Sequence, residues 1–229
     1  MLALALLLTL TLAAATMNKY RAVLGTSREL VLASASPRRA DILSKNIGLA
    51  FRVEVSTFKE DLDKARFGTA VDYVCETARC KALDVLSRLS SDGRVFDGIV
   101  ISADTIVSHQ GRILEKPADL LEARAMLGKL SGSTHTVITA MTLASKSSAV
   151  SPTCRVFFEE TVVKFASLTA DDIDYYCATN EPYDKAGGYG YQSLGAQLVE
   201  RIDGCYYNVV GLPVNRFCTE MAEFLKEVS

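Results

Sequence analysis

Histidine is nearly absent, with only His109 and His135 among 229 residues. A Ser–His or Cys–His nucleophile system has few bases to draw on, and neither histidine sits where catalysis would want it: one reads as a turn residue, the other as a strand start. No G-x-x-x-x-G-K-[ST], H-E-x-x-H or G-x-S-x-G pattern occurs, which removes the P-loop, the zincin metal site and the nucleophile elbow. A surplus of positive charge is also lacking. With 25 Lys and Arg against 27 Asp and Glu the formal charge is -2, which excludes a protein built to coat DNA or RNA; anionic ligands must be met by a few placed cations. The six cysteines, Cys75, Cys80, Cys154, Cys177, Cys205 and Cys218, form no C-x-x-C pair and fall in segments that read as helix or strand. They are expected to be reduced core thiols rather than a disulfide framework or a zinc site.

What is present is apolar and ordered. Hydrophobic residues make up 49% of the chain, enough for a packed core. Residues 1–16, MLALALLLTLTLAAAT, form an apolar leader that is short for a membrane span and lacks the basic n-region of a signal peptide. Three readings stay open for it: translation beginning at Met17, a targeting segment cleaved near Ala13-Ala14-Ala15, or a folded N-terminal helix. The first is preferred, which makes residues 17–229 a single domain and the expected location the cytoplasm.

From Leu30 onward strand-like runs alternate with helical patterns, the rhythm of an α/β fold. Leu30 to Ala33 reads as a buried strand, and Ser36 and Pro37 suit the N-cap and first position of a helix. Val71, Val74, Cys75, Ala78, Ala82, Val85, Leu86 and Leu89 share one helical stripe with Lys81 at its edge. Ile99 to Val107 reads as a central strand, and Gln110-Gly111 turns the chain into Ile113. A helix follows with Leu120, Ala123, Leu127 and Leu130 inward. Two long strands, Thr134 to Ala144 and Thr153 to Ser167, are joined by a mobile Ser-rich turn over 145–152. Thr169 opens another helix with Asp171 and Asp172 in its first turn. Ala196 to Ile202 and Cys205 to Val210 are expected to form a hairpin around Asp203-Gly204, and an amphipathic helix bearing Phe217, Met221, Phe224, Leu225 and Val228 closes the chain.

Chemistry concentrates in three groups. Ser34-Ala35-Ser36-Pro37-Arg38-Arg39 puts hydroxyls, free N–H groups and two guanidinium groups within six residues, which suits a phosphate chain. A capped helix with two solvated arginines would look the same. Asp104 interrupts an apolar strand, where an uncompensated charge costs several kcal/mol, so it must be paired, metal-bound or facing a cleft at the strand's C-terminal end, the position favoured in open α/β sheets. Glu115-Lys116-Pro117 follows across a turn and otherwise reads as a surface ion pair, while Glu60 by composition alone is a loop acid. Glu181 to Gln192 combines glycines for close backbone approach with aromatics and an amide able to read a base edge.

Taken in order, L-A-S-A-S-P-R-R, S-A-D-T-I-V, E-K-P and D-K-A-G-G-Y-G-Y-Q resemble the Maf family of nucleotide pyrophosphatases, from about Leu30 to the C-terminal helix. The resemblance implies the fold of inosine triphosphate pyrophosphatases: a long curved mixed sheet flanked by helices, with two lobes around a cleft. It also implies hydrolysis of a nucleoside triphosphate to the monophosphate and pyrophosphate, in nucleotide pool housekeeping. Arg38, Thr105 and Gln192 look like the dTTP/UTP branch, with modified pyrimidine nucleotides as further substrates. By the same resemblance Asp104 is the proton acceptor, and Ser34, Arg39, Lys81 and Lys116 join the substrate contacts. A divalent cation, Mg²⁺ or Mn²⁺, is expected on carboxylates such as Glu60, Asp104 and Glu115. Nucleic acid and membrane are not expected as partners, and a homodimer is compatible with this reading. Gly188, Ser193 and Cys205 depart from the family pattern, which bears on base selectivity. The alternative is a nucleotide-binding regulator of cell division with little turnover.

Overall fold

In the computed structural model, which describes residues 21–91, 96–146 and 151–229, the strand expected at Leu30 is β1 (Glu29–Leu32). It joins a seven-stranded mixed sheet that also holds β2 (Arg52–Val53), β3 (Gly98–His109), β4 (Arg112–Leu114), β5 (Thr134–Ser145), β6 (Thr153–Phe165) and β7 (Val199–Asp203). The order is β2-β1-β3-β5-β6-β7, with β4 also on β3. β1 runs parallel to β2 and β3, and the remaining pairs are antiparallel. Nearly every residue of β3 is buried, as the unbroken apolar run from Ile99 requires of a strand covered on both faces.

Helix α1 (Pro37–Asp41) runs on into a wide turn at Ile42–Ile47. The long α2 (Ala70–Leu89) is started by a reciprocal cap, Thr69 and Asp72 each accepting from the other's backbone N–H, and packs on one face of the sheet. On the opposite face α6 (Val214–Glu227) inserts Phe217, Met221 and Phe224 against Leu30, Leu32, Ile101 and Leu143. Cutting either fully buried phenylalanine to Ala would cost about 3–5 kcal/mol. Farther along, α3 (Leu120–Leu130) and α4 (Ala170–Cys177) cover Val137, Val163 and Phe165.

Several local expectations need correction. Cys205 to Val210 is no strand; Tyr206–Val210 forms the short helix α5, preceded by β7 alone. A short apolar run fits either form, and tertiary contacts decide: Asn208 is fully buried and donates to Val137 O and Thr161 Oγ1, which a paired strand could not reach. Leu120 is 42% exposed because it opens α3 just after the Asp119 cap; Met126 takes the inner position instead. Ser36 stands at the cap position of α1, but its hydroxyl makes no capping bond. None of the six cysteines is in a disulfide, and only Cys177 and Cys218 are buried. The mobile turn expected at 145–152 falls largely on 147–150, and the leader on 1–16; both lie outside the described residues. No helix among the described residues is long and apolar enough to cross a membrane.

Candidate active site

The cleft is made by a gap at a sheet edge. β1 pairs with Gly98–Ile101 and β4 with Val107–His109, leaving Ser102–Ile106 of β3 without a strand on that edge among the described residues. Successive side chains of a strand point to opposite faces. Through the gap, however, Asp104 from one face and Thr105 from the other line the same cavity of about 380 Å³. Asp104 thus sits in mid-strand rather than at the C-terminal end of β3. It is the parallel neighbour β1 that ends there and carries the chain over the cleft as Ala33 to Arg39.

Asp104 is 8% exposed, and its Oδ1 accepts from Lys81 Nζ at 2.7 Å. Lys81, itself buried on α2, also stands 2.9 Å from Glu60 Oε2. Burial raises the Asp104 pKa above the ordinary carboxylate value, against the pull of Lys81 and Arg39. For the more exposed Glu60, burial acts upward too, but Lys81 outweighs it with help from Lys116 and Arg39, and the carboxyl is held below its ordinary range. The two neighbouring acids are thus pushed in opposite directions, Asp104 upward and Glu60 downward.

Arg39, half-buried, is the second cation of the cleft. Its Nε donates to Gly211 O, one terminal nitrogen to Ser34 Oγ and the other to Thr105 Oγ1, each at 3.0 Å. Every acceptor is neutral, so the guanidinium is oriented without being neutralised, and burial lowers its pKa despite the field of Asp104. A fixed fork with donors to spare suits a phosphate oxygen. Thr105 is held in turn by Thr139, whose hydroxyl donates to Asn208 O, so α5 and the sheet together set the guanidinium plane.

Lys116 and Gln192 also line the cavity from exposed positions. Arg38, expected with Arg39 among the phosphate cations, instead crosses the cleft to Asp184. Glu115 does not join Glu60 and Asp104: its carboxylate accepts from Tyr73 OH at 2.6 Å and Lys64 Nζ at 2.7 Å, outside the cavity lining. Among the described residues no three acids, histidines or cysteines stand together. The physical reason is register. Glu115 follows the β3–β4 turn, and only its backbone serves the cleft, its carbonyl accepting from Gly187 N.

The segment from Glu181 to Gln192 is folded on its own charges. Glu181 accepts from Tyr176 OH and from the N–H groups of Leu194 and Gly195. Lys185 Nζ donates to Glu181 O and to Asp184 Oδ1, both at 2.6 Å. Gly187 adopts φ +70°, and a Cβ there would stand 2.8 Å from the Val107 side chain, so the loop can lie on β3 only with glycine at that place. His135 supports the loop from below through Tyr189 OH at 2.7 Å; burial lowers its pKa to about 4, which keeps it neutral and outside acid–base work.

One contributor escaped the sequence reading. Asp84, one turn beyond Lys81 on α2, accepts from Ser56 Oγ, Thr57 N and Thr57 Oγ1 at 2.8–3.0 Å, anchoring the loop that carries Glu60. In sequence it looks like any solvated helix acid; Ser56-Thr57, a pair of hydroxyls in need of an acceptor, was the signal.

Comparison with known proteins supports the motif reading. The family model described as Maf-like protein matches residues 29–224. A "Probable bifunctional dTTP/UTP pyrophosphatase/methyltransferase protein" of Homo sapiens is 48% identical over 199 residues, which are 86% of this chain and 32% of that much longer protein. A "dTTP/UTP pyrophosphatase" of Bacillus anthracis is 41% identical over 202 residues, 88% of this chain and 98% of the relative. Among solved structures, a HAM1 protein from Coxiella burnetii aligns over 87% of this chain and 99% of its own, with 15% identity and a TM-score of 0.44.

Proposed function

The chain belongs to the Maf family, and we propose that it is a nucleoside triphosphate pyrophosphatase acting on dTTP and UTP. The observation that carries this reading is the pairing of buried Asp104 with Lys81, beside the un-neutralised Arg39, in one cavity. A triphosphate needs cations that are fixed before it arrives; water needs a nearby carboxylate to take its proton.

In this reading water attacks the α-phosphorus, its oxygen forming the new bond while the bond from phosphorus to the β-bridging oxygen breaks. The proton goes to Asp104, whose raised pKa makes it a better acceptor than an ordinary carboxylate, and pyrophosphate leaves. Arg39 and Lys81 take up charge on the phosphate oxygens, with Lys116 at the mouth. Ser34 keeps Arg39 aimed.

Glu60 and Asp104, sharing one ammonium, fit a hard cation that takes one or two carboxylates and completes its shell with waters and substrate phosphate, and would hold Mg²⁺ or Mn²⁺ without Glu115. When bound, the ion supplies further neutralisation of the triphosphate charge.

Arg38, Gln192 and Tyr191 line the same cavity, and in this reading they meet the base. The relatives' names motivate thymine and uracil. A regulator without turnover would have no need of a buried, base-like carboxylate, which disfavours that alternative. The test is a screen of ordinary and modified nucleotides with Mg²⁺ and Mn²⁺, scored for pyrophosphate and monophosphate. Release of orthophosphate, or no turnover of any nucleotide, would overturn the reading.

A further inference from the structure

Arg38 and Asp184 lie 146 positions apart in sequence and meet across the mouth of the cleft. One terminal nitrogen of Arg38 donates to Asp184 Oδ2 at 2.8 Å, and the other reaches the Asp184 carbonyl at 3.4 Å. The opposite carboxylate oxygen is taken by Lys185 Nζ at 2.6 Å, and Lys185 is fastened to Glu181 O, so Asp184 is anchored in its loop before it reaches Arg38. Glu181 also holds the N–H groups of Leu194 and Gly195, the two residues that close the stretch bearing Gln192.

The adjacent arginines are therefore divided. Arg39 is turned inward by Ser34, Thr105 and Gly211, beside the acids. Arg38 is drawn to the far wall, where Tyr191 and Gln192 also line the cavity. Without the Asp184 carboxylate, only the long 3.4 Å contact with the Asp184 carbonyl would keep the Arg38 side chain from swinging to solvent or joining the phosphate cations, and the base end would lose one of its walls.

We propose that Asp184 is a positioning residue for base selection: by bracing Arg38 against the glycine-rich loop it sets the width of the base end of the cleft and keeps that guanidinium off the phosphates. This rests on the pyrophosphatase reading. Selection then depends on a group that touches neither phosphate nor reacting water, so its loss appears in KM and in discrimination between bases rather than in the chemical step. The carboxylate is held below its ordinary range by Lys185 and Arg38 against the effect of burial, so the brace is charged at neutral pH.

The experiment measures kcat and KM for dTTP, UTP and CTP in the full chain and in Asp184→Asn, Arg38→Gln and the double variant. Asp184→Asn is expected to raise KM for dTTP by roughly three- to tenfold, the range of a partly exposed charge-assisted pair, to narrow the preference over CTP by a similar factor and to leave kcat within about twofold. In the Arg38→Gln background the same change is expected to add nothing, an outcome that general loosening of the loop would not produce. Arg38→Lys, which keeps the charge but not the fork, should shift selectivity in the same direction, and it tests the brace even if Asp184→Asn does not fold. Unchanged discrimination, additive effects in the double variant, or a lowered KM, which would mean that Asp184 competes with substrate for Arg38, each overturn the proposal. Wild-type protein that releases no pyrophosphate defeats the underlying reading instead, so the two failures are distinguishable.

Discussion

Lys81 Nζ stands 2.7 Å from Asp104 Oδ1, an ion pair that joins the long helix α2 to the middle of the central strand with both side chains almost wholly buried. Glu60 completes the arrangement from a loop, 2.9 Å from the same nitrogen. A buried charge pair of this kind seldom improves stability over a well-packed apolar pair; in the proposed reaction its value is chemical, since the ammonium opposes the effect of burial on the carboxylate meant to take the proton.

Replacing Asp104 by Asn is accordingly expected to leave the fold intact, because the amide oxygen can still accept from Lys81, and to lower kcat by at least about a hundredfold, the scale of a lost general base or metal ligand. Steady-state kinetics on protein whose thermal unfolding matches wild type checks this. Turnover within a few-fold of wild type removes Asp104 from the mechanism.

Lys81→Met should show its effect through pH. Without the ammonium the Asp104 pKa, already raised by burial, rises further in the folded state. A group with a raised folded pKa gives stability that is present below its unfolded value and lost as pH climbs through the folded one. Glu60, whose pKa is depressed chiefly by Lys81 acting against burial, currently contributes stability above its unfolded value, and the variant forfeits it. Both effects have the same sign. The loss, about 3–5 kcal/mol at neutral pH, should shrink as pH falls toward the ordinary aspartate value of 3.8. Urea unfolding at neutral and acid pH measures it, and an equal loss at both would contradict the assignment.

Gln192→Leu removes an amide able both to donate and to accept while keeping approximate volume. The ratio of kcat/KM for dTTP to that for CTP should fall, because thymine and uracil present a carbonyl and a ring N–H where cytosine has an amino group and a bare nitrogen. Hydrolysis itself should largely survive. A variant with full discrimination, or a wild type that prefers purines, would move attention to Gly188 and Ser193.

A chain beginning at Met17 is expected to fold and keep the kcat/KM of the full chain, since every residue lining the cavity lies from Ala33 onward. Loss of solubility or activity would show that the leader packs on the domain.

Much of this was legible in the sequence. The periodicity of residues 71–89, the apolar run from Ile99 and Thr169 followed by the acids Asp171 and Asp172 correspond to α2, β3 and the start of α4, because burial on one stripe, burial on two faces and negative charge at a helix start each leave a local pattern. An acid inside an apolar strand announced Asp104 in the same way, since few local surroundings tolerate it. The run from Cys205 to Val210 reads equally well as strand or helix because five apolar residues around one Asn carry no period that separates the two, and the buried Asn208 that decides the matter finds acceptors for its side-chain N–H groups only on β5 and β6.

Residue types and their order by themselves determined most of the elements, the family and most of the polar groups that line the cleft. Which of those groups act together was decided by the tertiary structure alone. Two adjacent arginines are alike in sequence, yet one turns inward to Ser34 and Thr105 and the other outward to Asp184; two glutamates likewise part, Glu60 to the ammonium of Lys81 and Glu115 to Tyr73 and Lys64. Ion pairs and hydrogen bonds depend on separations of a few ångströms in space, and those are set where β1 stops, where α2 crosses β3 and where the glycine-rich loop lands, none of which is a local property of the chain.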